Sequence, residues 1–443
     1  MKKAFKILLY FLAFVGIIAV VLIKPINRTS YLKSDHYKKY KSDFEKFSLK
    51  ENKGTLNAGW AKVNITPAKP MAMAGYGKRQ GKPYTSVHDS VYVRAICIEI
   101  DTQKIYFLSA DLLIIPPSVN ALLESRLKSI GIDIKNVHFG ATHSHNSLGS
   151  WGNTLTGKLF AGPYDPKIEP YLADNITKVL KNAEANLTKA SVFYGEINDS
   201  ADIRNRLEIA NPSIDPEIRA LQIAKANGQK AILVTYAAHS TVLNSATLEL
   251  SRDYSGILVD SLERNTVDFA MFMAGAVGSM GPVEKGKEDF DEVKNQGNGV
   301  FTYVQKIAYK KQAETCFSTR FELPMAASSA KISQNWALRP WAFKWLFGDY
   351  PTYIKVTKIG NTLFIGTPCD FSGELMQALD DYARARNLDL VITSFNGSYV
   401  GYITKDEHYD LDLYETRTMN WFGPGNGAYF SEVIKNIIDK VKS

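Results

Sequence analysis

Residues 136–149 read NVHFGATHSHNSLG. The stretch from Asn136 to Thr142 has the apolar, uncharged character of a buried strand. It stops on two histidines, His143 and His145, one residue apart, and Gly149 closes the loop. The chain has only 7 histidines, so the pair poses a choice between a metal-binding strand end and two core or surface histidines that happen to be neighbours.

Working outward, strands and helices alternate. VYVRAICIEI (91–100) and KIYFLSAD (104–111) read as adjacent strands joined by a short polar turn. Helical spacing covers Asn120 to Ile130 and residues 168–187. Strands are predicted at 190–196, 216–224 and 230–237, followed by a helix at 255–264 and the apolar strand DFAMFMAG (268–275). A Lys-rich helix at 297–313, a long strand near 318–331 and a hairpin (354–368) turning at Gly360-Asn361 come next. A helix (371–387), a strand (390–397) and a terminal helix (427–441) complete the chain. This alternation predicts an α/β fold, with mixed β-sheets layered with flanking helices in one large catalytic domain. Ligands in such folds gather at the carboxyl ends of strands. ILVTYAAH (232–239) ends on His239, and AMFMAGAVGS (270–279) ends on Ser279. His143, His145, His239 and Ser279 therefore share one kind of position, although they lie far apart in the chain.

Composition narrows the function. The 443 residues are 45% hydrophobic and 22% charged, with a net charge of +8. Residues 1–55 hold twelve Lys and Arg against four acids, a surplus of eight that accounts for the whole net charge. Residues 56–443 are formally neutral, so the body offers no basic field for nucleic acid. The uncharged run from Ile7 to Ile23, with Lys2, Lys3 and Lys6 before it, predicts a signal anchor or transmembrane helix in residues 1–23. Residues 24–55 read as a basic stalk, either lying against anionic lipid headgroups or solvated and partly helical, and 56–443 as the catalytic domain. On this reading the body lies outside the cytoplasm, or is secreted if the anchor is cleaved. Removing residues 1–55 is expected to leave a soluble, active body. The cysteines, Cys97, Cys316 and Cys369, form no C-x-x-C, which excludes a zinc ribbon or a thioredoxin-type motif.

Two chemistries compete at the strand ends. A catalytic zinc takes three or so protein ligands and keeps a position for water. His143 and His239 supply two imidazoles, and Asp370 or Glu374, after a later strand, could add the carboxylate. A serine hydrolase would need G-x-S-x-G around Ser279, but AVGSMGP puts Val277 at the first glycine position.

Taken together, the blocks resemble the neutral/alkaline non-lysosomal ceramidase family, in order along residues 57–430. AGWAKVNITP (58–67) and MAGYGKRQG (73–81) are similar to its A-D-I-T-P and G-Y-G signatures, and GATHSHNSLG to its T-H-T-H-S-G-P-G. IRNRLEIANP (203–212), AAHSTVLN (237–244), GAVGSMGP (275–282) and TPCDF (367–371) resemble further blocks. So does YVGYITKDEHYDLDLYE (399–415) followed by FGP (422–424). The resemblance implies Zn2+ held by His143, His239, Asp370 and Tyr402. It implies that His145 contacts the scissile group, and that Arg206, Ser279 and Tyr414 surround the substrate's polar head and amide. Asp370 stands where the family has a glutamate, with Glu374 as the reserve ligand. Met280 replaces a proline, and the family's C-terminal immunoglobulin-like domain is expected to be absent. The implied activity is zinc-dependent hydrolysis of the N-acyl bond of ceramide or a related N-acyl lipid at a membrane surface. The alternatives are a zinc hydrolase of a soluble N-acyl or ester substrate, or a non-catalytic binding protein.

Overall fold

Residues whose side chains alternate between two apolar layers build the first sheet, and the computed structural model describes residues 2–442. Its strands are β1 (Leu56–Asn64), β2 (Tyr92–Ile100), β3 (Gln103–Ala110), β4 (Val137–Ala141), β5 (Thr188–Asn198), β6 (Glu217–Lys225), β7 (Lys230–Tyr236) and β8 (Phe269–Ala274). They run in the order β8-β7-β6-β5-β1-β2-β3-β4, and Lys310–Lys311 adds to β5. The pairs β3/β4 and β7/β8 are parallel and the others antiparallel. The two ends of this path curl toward each other. Ser109 Oγ donates to the carbonyl of Phe272 at 2.5 Å, joining β3 to β8. Gly140 on β4 lets them close, because a Cβ there would lie 3.1 Å from Met273. The curl carries the loop after β4 to the loops after β7 and β8, so the histidines meet.

A second sheet comprises β9 (Thr315–Glu322), β10 (Tyr353–Ile359), β11 (Thr362–Gly366) and β12 (Asp389–Thr393), in that order, with Asn52–Lys53 on its outer edge. β10 and β11 form the predicted hairpin, turning at Gly360 with φ 57°. The sheets meet through Phe107 and Phe364, 4.9 Å apart, and through buried His138, which bonds Thr357 and Thr393. Helices cover the outer faces. On α5 (Ile168–Ala185), Leu172, Ile176, Val179, Leu180 and Ala183 are buried, the three-and-four spacing of one helix face.

Several expectations shift. α7 spans Asp289–Val304, eight residues earlier than predicted. Asp289, Asp291 and Glu292 favour its N-terminus. Gly297 lies inside it, where a Cβ would meet Ile257 of α6 (Asp253–Asn265) at 2.6 Å. β9 is shorter than predicted, since Pro324 has no N–H for the ladder. α9 is confined to Met376–Arg384.

The basic stalk is corrected. Asp35–Lys46 forms a helix, α2, with Ser34 as its N-cap, and one face packs on the body. Tyr40 is fully buried against Phe321 and Tyr429 and accepts a hydrogen bond from Asn436. Tyr31 and Tyr37 both donate to Glu432 of the terminal helix α10 (Asn426–Lys442). The charges sit on the outer face, which is why the composition read as a stalk. Removing residues 1–55 therefore exposes an aromatic core face and is expected to cost about 3–5 kcal/mol, as truncating one large buried aromatic does. Removing only 1–22 should leave the fold unchanged. Urea midpoints of the two truncations distinguish these outcomes.

Among the described residues, one helix is long and apolar enough to cross a membrane: α1 (Lys2–Leu22), none of whose apolar window is buried.

Candidate metal centre

The chain leaves β4 at Ala141, and Thr142 N–H still bonds the carbonyl of Ala110. His143 then takes φ 61°, a left-handed conformation that costs a non-glycine residue about 1 kcal/mol and is held only where surroundings fix it. Two contacts fix it here. Phe395, itself at φ 67°, stacks on the imidazole at 4.2 Å. Nδ1 of His143 lies 2.6 Å from the carbonyl of Leu113. His239 follows β7 by three residues, with Nδ1 3.0 Å from the carbonyl of Val277.

Carbonyls only accept, so both Nδ1 atoms carry the proton. In neutral rings both Nε2 atoms are then lone pairs. Burial drives the His143 pKa down to about 3 and pushes His145 and His239 well below the usual imidazole range. Yet the two Nε2 atoms face each other at 2.8 Å, and Nε2 of His145 is 3.2 Å from that of His143. Lone pairs converging in a buried place suit a cation. Zn–N bonds of about 2.0–2.1 Å would need the first pair to open by only about half an ångström.

Asp370 faces the same point. Tyr399 O–H donates to its Oδ2 at 2.8 Å. Oδ1 is buried, has no hydrogen-bond partner, and lies 3.5 Å from Nε2 of His143 and 3.6 Å from Nε2 of His239. Burial raises this carboxyl to about 7, against the hydrogen bond from Tyr399 and the nearby Arg206. The backbone brings the short side chain in. Asp370–Phe371 pairs with Tyr402–Ile403, and Gly278 N–H bonds the carbonyl of Phe371. A Cβ on Gly278 would sit 2.5 Å from the carbonyl oxygen of Asp370, so only glycine permits this approach. Glu374 is not drawn to the imidazoles. It lies in the following turn, Gly373–Leu375, 3.1 Å from His408, which corrects its reserve role.

Behind the imidazoles runs a chain of polar groups. Arg206 Nη2 donates to Tyr402 Oη at 2.8 Å, and its Nε to Glu415 at 2.6 Å. Burial opposes the guanidinium charge, but Tyr402 and Glu415 outweigh it and raise its pKa. Ser279, fully buried at φ 63°, donates to the other oxygen of Glu415 at 2.8 Å and accepts from Ser372 at 2.9 Å. Its proton is thus committed to a carboxylate, with no histidine as its base. The geometry makes Ser279 a support for Glu415.

Residues 56–271 match the family model described as "Neutral/alkaline non-lysosomal ceramidase, N-terminal". The match covers just under half of the chain and is to the N-terminal domain of that family. No curated protein matches the sequence. The fold of the chain resembles that of neutral ceramidase from Pseudomonas aeruginosa, with 20% identity, a TM-score of 0.78, and coverage of 88% of this chain and 75% of that one. A ceramidase solved in complex with C2 matches equally, with 20% identity, the same coverages and a TM-score of 0.79.

The imidazoles of His143 and His145 open onto a cavity. His143, His145, Tyr402 and Tyr414 line it together with Trp151, Phe160, Phe347, Tyr350, Tyr399 and Trp421. Such a slot suits a long apolar group with one polar reacting centre. Tyr414 is half-exposed in a π-helical turn, its ring 5.9 Å from that of Tyr402. Sequence reading missed Glu415, Tyr399 and Phe395. Glu415 adjoins Tyr414, but a lone acid in a polar stretch carries no signal. Tyr399 and Phe395 look like any of the 45 Tyr and Phe residues.

Proposed function

We propose that this chain is a zinc-dependent amidohydrolase that cleaves the N-acyl bond of ceramide or a related N-acyl lipid into a fatty acid and a free amine. One observation carries the reading. The unpartnered Oδ1 of Asp370 and the unprotonated Nε2 atoms of His143 and His239 converge where His143 lines an aromatic cavity. His143, His239, Asp370 and Tyr402 would hold the ion, with His145 at its side.

When bound, zinc supplies the positive charge that lowers the pKa of water to about 7 and polarises an amide carbonyl. The chain's own residues do the rest. The aromatic walls take the acyl chain and exclude bulk water. His145, on the cavity wall, is placed to donate to the carbonyl oxygen as negative charge develops and to carry a proton to the leaving amine. Tyr414, on the cavity wall, supplies a second donor. Arg206 holds the Tyr402 oxygen and favours its ionised form, and Glu415 holds Arg206. α1 anchors the enzyme with its body outside the cytoplasm, where lipid substrate is presented at a bilayer.

The test is fatty-acid release from a panel of N-acyl lipids and short soluble amides, before and after chelation. We expect about one zinc per chain, loss of turnover on chelation, and recovery with zinc alone. Turnover indifferent to chelation overturns the metal assignment. Preference for soluble amides over every lipid overturns the substrate assignment.

A further inference from the structure

The far end of α1 is not on a free linker. The chain passes from it into Ile23–Pro25, which pairs antiparallel with Trp336–Leu338. Arg339 N–H then bonds the carbonyl of Leu22 at 2.7 Å, and its Nε bonds the carbonyl of Val20 at 3.0 Å. Arg339 is also the N-cap of α8 (Pro340–Phe347), whose sequence is PWAFKWLF. The end of the apolar helix and the start of α8 are thus tied to the same strand.

α8 buries Ala342 and Phe343 and leaves Trp341 53% and Trp345 72% exposed. Trp336, in the paired strand, is 48% exposed. α4 (Leu155–Ala161) packs beside α8, with Thr156 Oγ1 donating to the carbonyl of Leu346 at 2.8 Å, and it exposes Leu155 and Leu159. Single exposed apolar residues are ordinary. Here five fall on three segments that are bonded to one another and to the end of α1. Trp is the side chain favoured at the headgroup level of a bilayer, and Lys24, Lys158 and Lys344 lie in the same segments. α4 and α8 also supply cavity walls, through Thr156, Gly157 and Phe160 and through Phe347.

We propose that α4, α8 and Trp336 form a second contact with the bilayer that α1 enters, seating the cavity mouth on the membrane surface. α1 determines that the protein stays at the membrane, and the tryptophan face determines how it is turned. The occupant is a lipid surface rather than a second copy of the chain, because this face is continuous with the one unburied membrane-length helix among the described residues. Its consequence, that an acyl chain passes from bilayer to cavity without crossing water, rests on the proposed lipid hydrolysis. The surface assignment does not.

The experiment reads tryptophan emission of the full chain in phosphatidylcholine vesicles, with and without bromine on the acyl chains. α1 contains no tryptophan, Trp60 is half-buried on β1, and Trp151 and Trp421 line the cavity, so the part of the quenching that is lost when Trp341 and Trp345 are replaced reports this face. We expect clear quenching that falls at least about threefold in a W341Y/W345Y variant, as an interfacial aromatic anchor requires. Absence of quenching overturns the proposal, as does quenching unchanged by the double substitution or cross-linking between copies through this face. A second variant, Trp345→Asp, should hydrolyse N-acyl lipid in vesicles at least about tenfold more slowly and leave a detergent-dispersed substrate unaffected. An equal loss on both substrates overturns the entry route and leaves the quenching result to decide the surface. If the chain hydrolyses neither substrate, the function fails and the quenching still decides the surface.

Discussion

Alanine at His143 or at His239 should abolish zinc binding and hydrolysis together. Each imidazole supplies one of two buried lone pairs that face each other at 2.8 Å. With either removed, the other is left with Asp370 and a cavity where a ligand had been. Metal catalysis of this kind supplies several kcal/mol of transition-state stabilisation, so kcat/KM should fall at least about 1000-fold. A second readout separates lost metal from lost fold. On the proposed reading, zinc would bind the folded chain and so stabilise it by mass action. Added zinc should raise the melting temperature of the parent and leave both variants unmoved. A variant that retains zinc at the parent's affinity would refute the ligand set.

The next largest effect is expected at Glu415, whose carboxylate holds Arg206 at one oxygen and Ser279 at the other. Glu415→Gln keeps the shape and removes the charge. Breaking a buried pair by neutralising one partner costs about 3–5 kcal/mol, because the remaining charge stays desolvated. The low end applies here, since the Arg206 side chain is 25% exposed. The rate should fall as well, because Arg206 positions the Tyr402 oxygen. Ser279→Ala, which deletes only one donor to Glu415, should cost about 1 kcal/mol. Urea denaturation and kcat, measured on both variants, check the order. Equal stability of Glu415→Gln and the parent would mean that the Arg206 charge is satisfied by solvent instead.

Much of the candidate site was legible along the chain because histidine, the residue type it is built on, is rare here. Seven histidines in 443 residues leave few pairs to consider, and two of the strand-end positions held them. The carboxylate was harder. Asp370 and Glu374 stand four residues apart after the same strand, and only the close approach of Gly278 to the Asp370 backbone selects the first. Ser279 sits after a strand like a nucleophile, and only its bond to Glu415 reveals a supporting position. The segment 24–55 misled by composition. Its charges face outward, and the packing face depends on Tyr40, Phe44 and their neighbours meeting a helix almost 400 residues away.

Local sequence determined the strands, most of the helices, the apolar N-terminal run and the imidazoles, because periodicity and residue chemistry act over a few neighbours. Tertiary structure alone decided that β4 and β8 curl together, which carboxylate meets the imidazoles, and that the end of α1 is bonded to the tryptophan-bearing segment. Those outcomes depend on close packing between segments far apart in the chain, where the missing Cβ at Gly278 lets two backbones touch and the one at Gly140 makes room for the Met273 side chain.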